Sequence, residues 1–383
     1  MQQLNTKRNV FVVDTPHQLL NAIEAVHSLR LTTNHLLVTR PKNGVQDRFM
    51  PLIDGDDWVT VTFLSVRIRP RHRVRKLLGA LANRWYCRCL HLLQMLALAR
   101  VTSRFRHVDR LFLGHYSAEW TPFMRHIANT ITYNTLYLLD DGTDTIELNN
   151  TRHRVESSDT EGAIPASAAQ SSAWKKIGTH LRRKYWTWNT AEAPYVTFFT
   201  IYDLDVRQGD QLIKNTYSYL RSAAPLPRSY LPDTVILLGI CSADNYIEMN
   251  SYLEFLSKAR EYFADKKIMY VAHPRDSASL VTRIKEHLQC DVWPSSSVIE
   301  YDLMVRGIKP KVVAGFVSSA LITLAHLMDA DVGIVCFYVA PEHWIHWGDD
   351  AMEAYDYMRT KVQQRITVVP LGLSQNECKV QLS

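Results

Sequence analysis

Four short polar clusters in this chain carry residues able to do chemistry: Asp140-Asp141-Gly142, His273-Pro274, Ser295-Ser296-Ser297 running on to Glu300, and Ser318-Ser319. A carboxylate in the first could act as a general base toward a hydroxyl. Adjacent residues on a strand face opposite ways, so at most one of the two acids enters a given cleft unless Gly142 bends the chain. The alternative there is an Asp-Gly turn with solvated acids. His273 could donate to a phosphate or protonate a leaving group, or it could simply precede a proline that starts a helix. Glu300 could accept from a sugar diol, as acidic residues do with ribose in dinucleotide folds. Ser297 three residues before it also fits a capping box. Ser318 and Ser319 open an apolar helix, where hydroxyls and backbone N–H groups can hold a phosphate, although serine is also an ordinary cap.

Each cluster follows an apolar run, and those runs define the elements that position it. The opening "NVFVVDTPHQLLNAIEAVHSL" reads as a strand, Val10 to Val13, turning into a helix with Thr15 as N-cap and Pro16 as first helical residue. Further strands are predicted at 35–40, 58–64, 110–115 and 135–142, with helical stretches between most of them. That alternation implies a mostly parallel sheet covered on both faces. Residues 150–190 are polar and weakly periodic and read as a loop, and "DQLIKNTYSYLRSA" after them reads as a helix. The proline-rich "APLPRSYLPD", 224–233, reads as a linker. A second strand-helix series then runs through 234–240, 267–274, 290–294, 311–316 and 331–338.

The expected architecture is α/β, with two Rossmann-like doubly wound domains, 1–223 and 234–383, facing a cleft, and the last helices packing back on the first domain. All four clusters fall at carboxyl ends of predicted strands, where open α/β sheets bind ligands. One lies in the first domain and three in the second.

A length of 383 residues suits two such domains, and 46% apolar with 21% charged residues excludes a disordered chain. No apolar run is long enough to span a bilayer, and "MQQLNTKRNV" lacks a secretory core, so a cytoplasmic protein is expected. The six cysteines show no pairable framework. "CRCLH" puts Cys87 and Cys89 on different sides of a helix, which argues against a metal site.

The net charge of +6 is concentrated: Val66 to His107 holds eleven Arg or Lys and no Asp or Glu. This block reads as a solvated helical face, as a peripheral contact with anionic inner-membrane lipid through Leu77, Leu78, Leu81 and Trp85, or as a groove for a polyanionic acceptor. Nucleic acid is not expected, since no binding module accompanies it.

In order and approximate spacing, the series Asp-Asp-Gly, His-Pro, Ser-rich segment with Glu, and Ser-Ser resembles the motifs of bacterial sialyltransferases of the GT-B fold, the lipooligosaccharide sialyltransferases and capsule polysialyltransferases among them. "FVVDTPHQLLNAIEA" is similar to the opening of the lipooligosaccharide group, where a Thr-Pro-x-Gln segment recurs. The resemblance implies an inverting transfer of sialic acid, or a related acidic sugar, from a CMP donor to a hydroxyl of a cell-surface glycan. It implies that one acid of Asp140-Asp141 is the base, that His273 donates to the CMP phosphate, that Ser318 and Ser319 hold that phosphate, and that Glu300 binds the ribose. Pro274 and Ser297 belong to the same donor set, and Thr15, Gln18 and His115 are candidates on the acceptor side. No metal or other cofactor is expected, although Asp203-x-Asp205 has a metal-site spacing. The basic segment 66–106 and the polar stretch 150–190 depart from the family pattern. The alternatives are another GT-B-type enzyme, such as a nucleotide-sugar epimerase or a glycerophosphotransferase, and a polyanion-binding assembly protein without turnover.

Overall fold

The computed structural model describes residues 7–39, 46–53, 55–64, 80–161, 188–226, 229–240 and 246–371. The chain divides into two units, Met1–Asn215 and Thr216–Ser383.

The first unit is built on a seven-stranded, wholly parallel sheet. Its strands are β1 (Asn9–Val13), β2 (Asn34–Val38), β3 (Thr60–Phe63), β4 (His107–Leu113), β5 (Thr132–Leu139), β6 (Thr197–Thr200) and β7 (Gln211–Lys214), in spatial order β3-β2-β1-β4-β5-β6-β7. The chain winds outward from β1 to β3 and returns to lay β4 beside β1. The order therefore reverses between β1 and β4, the place where doubly wound sheets open a crevice. The central strands are apolar on both faces because helices cover both. Phe11, Phe112 and Tyr137 stack across three neighbouring strands at 4.1 and 4.4 Å between ring centroids. Helix Pro16–Ser28 starts as expected: the Thr15 side chain accepts from Gln18 N at 3.2 Å, and Pro16 loses no helical hydrogen bond at its position.

Two expectations in this unit are corrected. Residues 211–214, read as helix, form edge strand β7, whose two apolar residues are too few to show a period. The polar stretch from 150 begins inside a helix, Asp144–Glu161, and 162–187 lie outside the described residues. That helix has Asp144 and Glu147 in its first turn, where carboxylates complement the dipole. It is anchored by Arg152, buried and paired with Asp210 at 2.7 and 2.9 Å and with Glu192 at 2.6 Å. Hydropathy cannot reveal a helix held by a buried ion pair.

The second unit carries a six-stranded parallel sheet in the order β10-β9-β8-β11-β12-β13. These strands are β8 (Ser229–Leu238), β9 (Lys267–Val271), β10 (Asp291–Val292), β11 (Ile308–Gly315), β12 (Gly333–Tyr338) and β13 (Ile366–Pro370). Here the order reverses between β8 and β11, and Gly315 ends β11 so close to β8 that a Cβ would stand 3.1 Å from the Leu238 carbonyl oxygen.

The linker expected at 224–233 is corrected. Ser229 to Leu231 pair with Ile308 to Pro310, and the register slips between Pro310 and Val312, so Pro232 and Pro310 sit around a break in the ladder. Helix Ser218–Ala223 packs on helix Ile299–Val305, which draws the start of this unit back to Thr216. Strand β13 was not foreseen. Helix Gly348–Thr360 packs on β13, and its Tyr355 Oη donates to Phe337 O and accepts from Val339 N at the end of β12. Among the described residues no helix is long and apolar enough to cross a membrane.

Candidate active site

In the first unit the carboxyl ends of β1, β4 and β5 deliver Asp14, His115 and the Asp140-Asp141-Gly142 turn. Gly142 adopts φ +71°, the left-handed conformation that turns the chain into helix Asp144–Glu161. The two acids of the turn part company. Asp140 is 1% exposed; its Oδ2 accepts from Ile201 N at 2.8 Å, and its carbonyl accepts from Asn21 Nδ2 at 3.1 Å. Asn21 Oδ1 in turn accepts from Asn215 Nδ2 at 3.1 Å, so buried amides tie the first helix to the end of β5. Burial pushes the Asp140 carboxyl up to about 7 against the pull of Thr200 and the Ile201 N–H. Asp140 is thus an inward anchor of the turn.

Asp141 points the other way, with its side chain 23% exposed and Oδ2 3.5 Å from His115 Nε2. Burial pushes this carboxyl too up to about 7; His115 opposes the shift, while Asp14 and Asp144 add to it. Burial also works against charging His115, yet Asp141, Asp144 and Asp14 outweigh it and hold its pKa above the ordinary value. The ring is oriented by Thr121, whose Oγ1 lies 2.6 Å from Nδ1 and donates to Ser117 O at 3.3 Å, leaving Nδ1 as the donor. Nε2 then faces Asp141 and, at 3.6 Å, Asp144. An imidazolium between carboxylates is the resulting charge pattern.

Among the described residues, His115, Asp141 and Asp144 are also the group whose ligand atoms, all within 4.8 Å of one another, could take a divalent ion. Asp203 and Asp205 join no such group; Asp203 pairs with Lys214, and the Asp205 carbonyl accepts from Asn149.

Gln18 supports this cluster, and Thr15 caps the helix that carries it. Gln18 is fully buried, its Oε1 accepts from Asp14 N at 2.8 Å, and its side chain works against the upward shift of the Asp141 carboxyl. It lies so close over Gly114 that a Cβ there would meet Oε1 at 2.2 Å. Sequence reasoning missed Asp14, Asn21, Thr121 and Asp144. The signal for Asn21 was present, an amide between the buried apolar pairs Leu19-Leu20 and Ala22-Ile23.

In the second unit His273 follows β9 in a tight turn. The His273 carbonyl accepts from Asp276 N and its own N–H donates to Asp276 Oδ2, both at 2.9 Å. Pro274 occupies the second position of this turn, as its fixed φ favours. It does not start the helix, which begins at Ala278 with Ser277 as N-cap. Arg275 N donates to His273 Nδ1 at 3.2 Å, so the proton of the neutral ring sits on Nε2.

Glu300, after β10, is not the acid of a capping box. The N-cap of helix Ile299–Val305 is Val298, with no side-chain cap bond, and Ser297 is buried and receives Ser295 Oγ on its carbonyl. Asp302 takes the role of organising the serine loop, accepting from Ser296 N at 3.0 Å, from Ser296 Oγ and from Trp293 Nε1 at 3.2 Å. Glu300 is 3% exposed, and burial, with Asp302 adding, pushes its carboxyl up to about 7.

Ser318 caps helix Ser319–Leu327, its Oγ accepting from Ala320 N at 3.2 Å, and both serines are half-buried. Ser318→Ala is expected to cost about 1 kcal/mol of stability, read as a lower Tm that Ser318→Asn largely restores.

No family model and no curated protein sequence matches the chain. Solved structures do. A Listeria monocytogenes protein described as a UDP-N-acetylglucosamine 2-epimerase aligns over 98% of this chain and 87% of its own, with TM-score 0.50 and 9% identity. A sialyltransferase from Photobacterium damselae, described as the GT-B domain, aligns over 94% of this chain and 99% of its own at TM-score 0.42 and 13% identity. The fold is GT-B. An α/β-galactoside α-2,3-sialyltransferase from Photobacterium phosphoreum aligns over 95% and 99% of the two chains at TM-score 0.45 and 11% identity. At these identities the likeness to other GT-B proteins is one of fold.

His115 gives the site of the first unit a pH signature. Its cation lowers the Asp141 pKa, so His115→Gln is expected to move the titration of Asp141 upward from about 7. The shift would be seen by NMR of the carboxyl carbon.

Proposed function

We propose that this chain is an inverting glycosyltransferase that moves sialic acid, or a related acidic nine- or eight-carbon sugar, from a CMP donor to a hydroxyl of a cell-surface glycan. The observation that carries the reading is the protonation pattern at the strand ends. Asp141, with a pKa of about 7 and a side chain 23% exposed, is suited to take a proton near neutral pH. The His273 ring, with Nδ1 occupied by a backbone N–H, offers a proton on Nε2.

The proposed step is a single displacement. Asp141 removes the acceptor hydroxyl proton as its oxygen bonds to the anomeric carbon, and the bond from that carbon to the phosphate oxygen breaks through an oxocarbenium-like state. CMP departs with the electron pair. His273 Nε2–H donates to its phosphate, and the N-terminus of helix Ser319–Leu327, with the Ser318 and Ser319 hydroxyls, stabilises the charge. Glu300 accepts from the cytidine ribose. A monophosphate leaving group handled in this way does not call for a metal.

A panel of CMP- and UDP-activated sugars tests the donor by thermal stabilisation. CMP-sialic acid or another CMP-activated acidic sugar is expected to raise Tm. A response to UDP-N-acetylglucosamine and to no CMP-sugar would favour the epimerase alternative and end this reading.

Glu300→Gln is expected to weaken CMP-donor binding by about tenfold or more, the scale of a hydrogen bond to a charged acceptor. The sign of its effect on stability follows from burial. Because the carboxyl is raised from 4.5 to about 7, the native state holds the extra proton between those values, and wild-type stability falls as pH rises through that window. The glutamine variant loses that part of the slope, which urea titrations at pH 5 and pH 8 would measure.

A further inference from the structure

Helix Ala80–Thr102 runs through the acid-free basic block. Its buried side carries Gln94, Leu98 and Val101, joined by Phe105 after the helix, and Leu98, Val101 and Phe105 enter the core of the first unit. Cys89, Leu93, Leu96 and Arg100 recur at helical spacing on the opposite side, all exposed. Leu93 and Leu96 are each 58% exposed. Arg104 and Arg106 follow, also exposed, and among the described residues no ion pair engages Arg100, Arg104 or Arg106. The side chains of Leu77, Leu78, Leu81 and Trp85, the apolar stripe expected from sequence, lie outside the described residues.

We propose that this face, centred on Leu93 and Leu96 and flanked by Arg100, Arg104 and Arg106, docks on an anionic phospholipid surface. A single exposed leucine on a soluble helix needs no explanation. Two on one stripe beside three cations, in a block of eleven Arg or Lys without one acid, match a helix that lays apolar side chains at the lipid boundary and basic ones among the headgroups. Charge selects the occupant. A symmetric contact with a second copy would bring the arginines against one another, and a polyanionic glycan would leave the leucines without a partner. The inference is independent of the transferase reading.

Flotation of the full chain with phosphatidylcholine vesicles, with and without phosphatidylglycerol, tests it. Binding is expected only with phosphatidylglycerol and is expected to weaken as salt rises. Leu93→Asp with Leu96→Asp is expected to lower vesicle affinity about tenfold or more, from lost apolar burial and added negative charge. Arg100→Gln and Arg104→Gln are each expected to lower it about fivefold. An unchanged Tm would show that the variants fold. Three results would overturn the proposal. One is absent or equal binding to the two vesicle types. Another is full vesicle binding by the leucine variant together with displacement by a soluble polyanion, which would make the face a polyanion site. The third is a wild-type dimer that the leucine variant converts to monomer. Neither donor binding nor CMP release enters these readouts.

Discussion

Asp141→Asn is expected to lower kcat for sialyl transfer by about 10²- to 10⁴-fold, the range a positioned general base contributes. The loss should fall on kcat more than on the donor KM, because in the proposed step the base acts on the acceptor proton as the new bond forms. The fold should survive, since the side chain is partly exposed and its ionisation is opposed by burial and by Asp14 and Asp144. Above pH 7 the variant should be no less stable than the parent. The neighbouring acid provides the contrast. Asp140 is enclosed and holds Ile201 N, a contact that an asparagine oxygen can keep, so Asp140→Asn should change kcat by less than about tenfold. If the large loss follows Asp140 and not Asp141, the assignment of the base is wrong.

His273→Ala carries the second large effect, an expected fall in kcat of about 10²- to 10³-fold from the loss of the proposed proton donation to the departing phosphate. The geometry makes this specific. The ring sits in a turn closed from both sides by Asp276 and receives Arg275 N on Nδ1, so the donor is the other nitrogen. His273→Asn, whose amide can still donate from the same turn, is expected to recover part of the lost rate. Recovery by asparagine with none by alanine separates donation from a purely structural role. Equal losses in both with a lowered Tm would point to the turn rather than to chemistry.

Much of the frame could be read from the chain because parallel strands covered on both faces leave uninterrupted apolar runs, as in Phe11 to Val13 and Ile236 to Leu238. The polar residues that follow such runs stand at strand ends by construction, so the four clusters could be placed on the right edges of their sheets without coordinates. The elements that escaped are those whose formation rests on partners far away in sequence. Strands β6, β7 and β13 are four or five residues long and are recruited by neighbours already in the sheet. Helix Asp144–Glu161 depends on Arg152 meeting Asp210, 58 residues on. Ser229 to Leu231 looked like linker because proline usually marks one, whereas here the ladder slips around Pro232 and Pro310.

The candidate site shows the same division. Residue types at strand ends were visible, but their states were not. That Asp140 turns inward and Asp141 toward His115 depends on Gly142 at φ +71° and on Asn21 and Ile201. The capping-box spacing of Ser297 and Glu300 predicted the wrong organiser for its loop, because Asp302, one turn into the helix, reaches back to Ser296 and Trp293 and leaves Glu300 buried.

The most direct measurement is release of CMP from CMP-activated acidic sugars, with and without glycan acceptors, by the wild type, Asp141→Asn and His273→Ala. Wild-type release is expected above the blank and is expected to rise with a competent acceptor. Both variants are expected to lose most of that release while Tm stays within a few degrees of the parent. No release by the wild type from any CMP-sugar, with no CMP-sugar binding by calorimetry, would contradict the transferase reading.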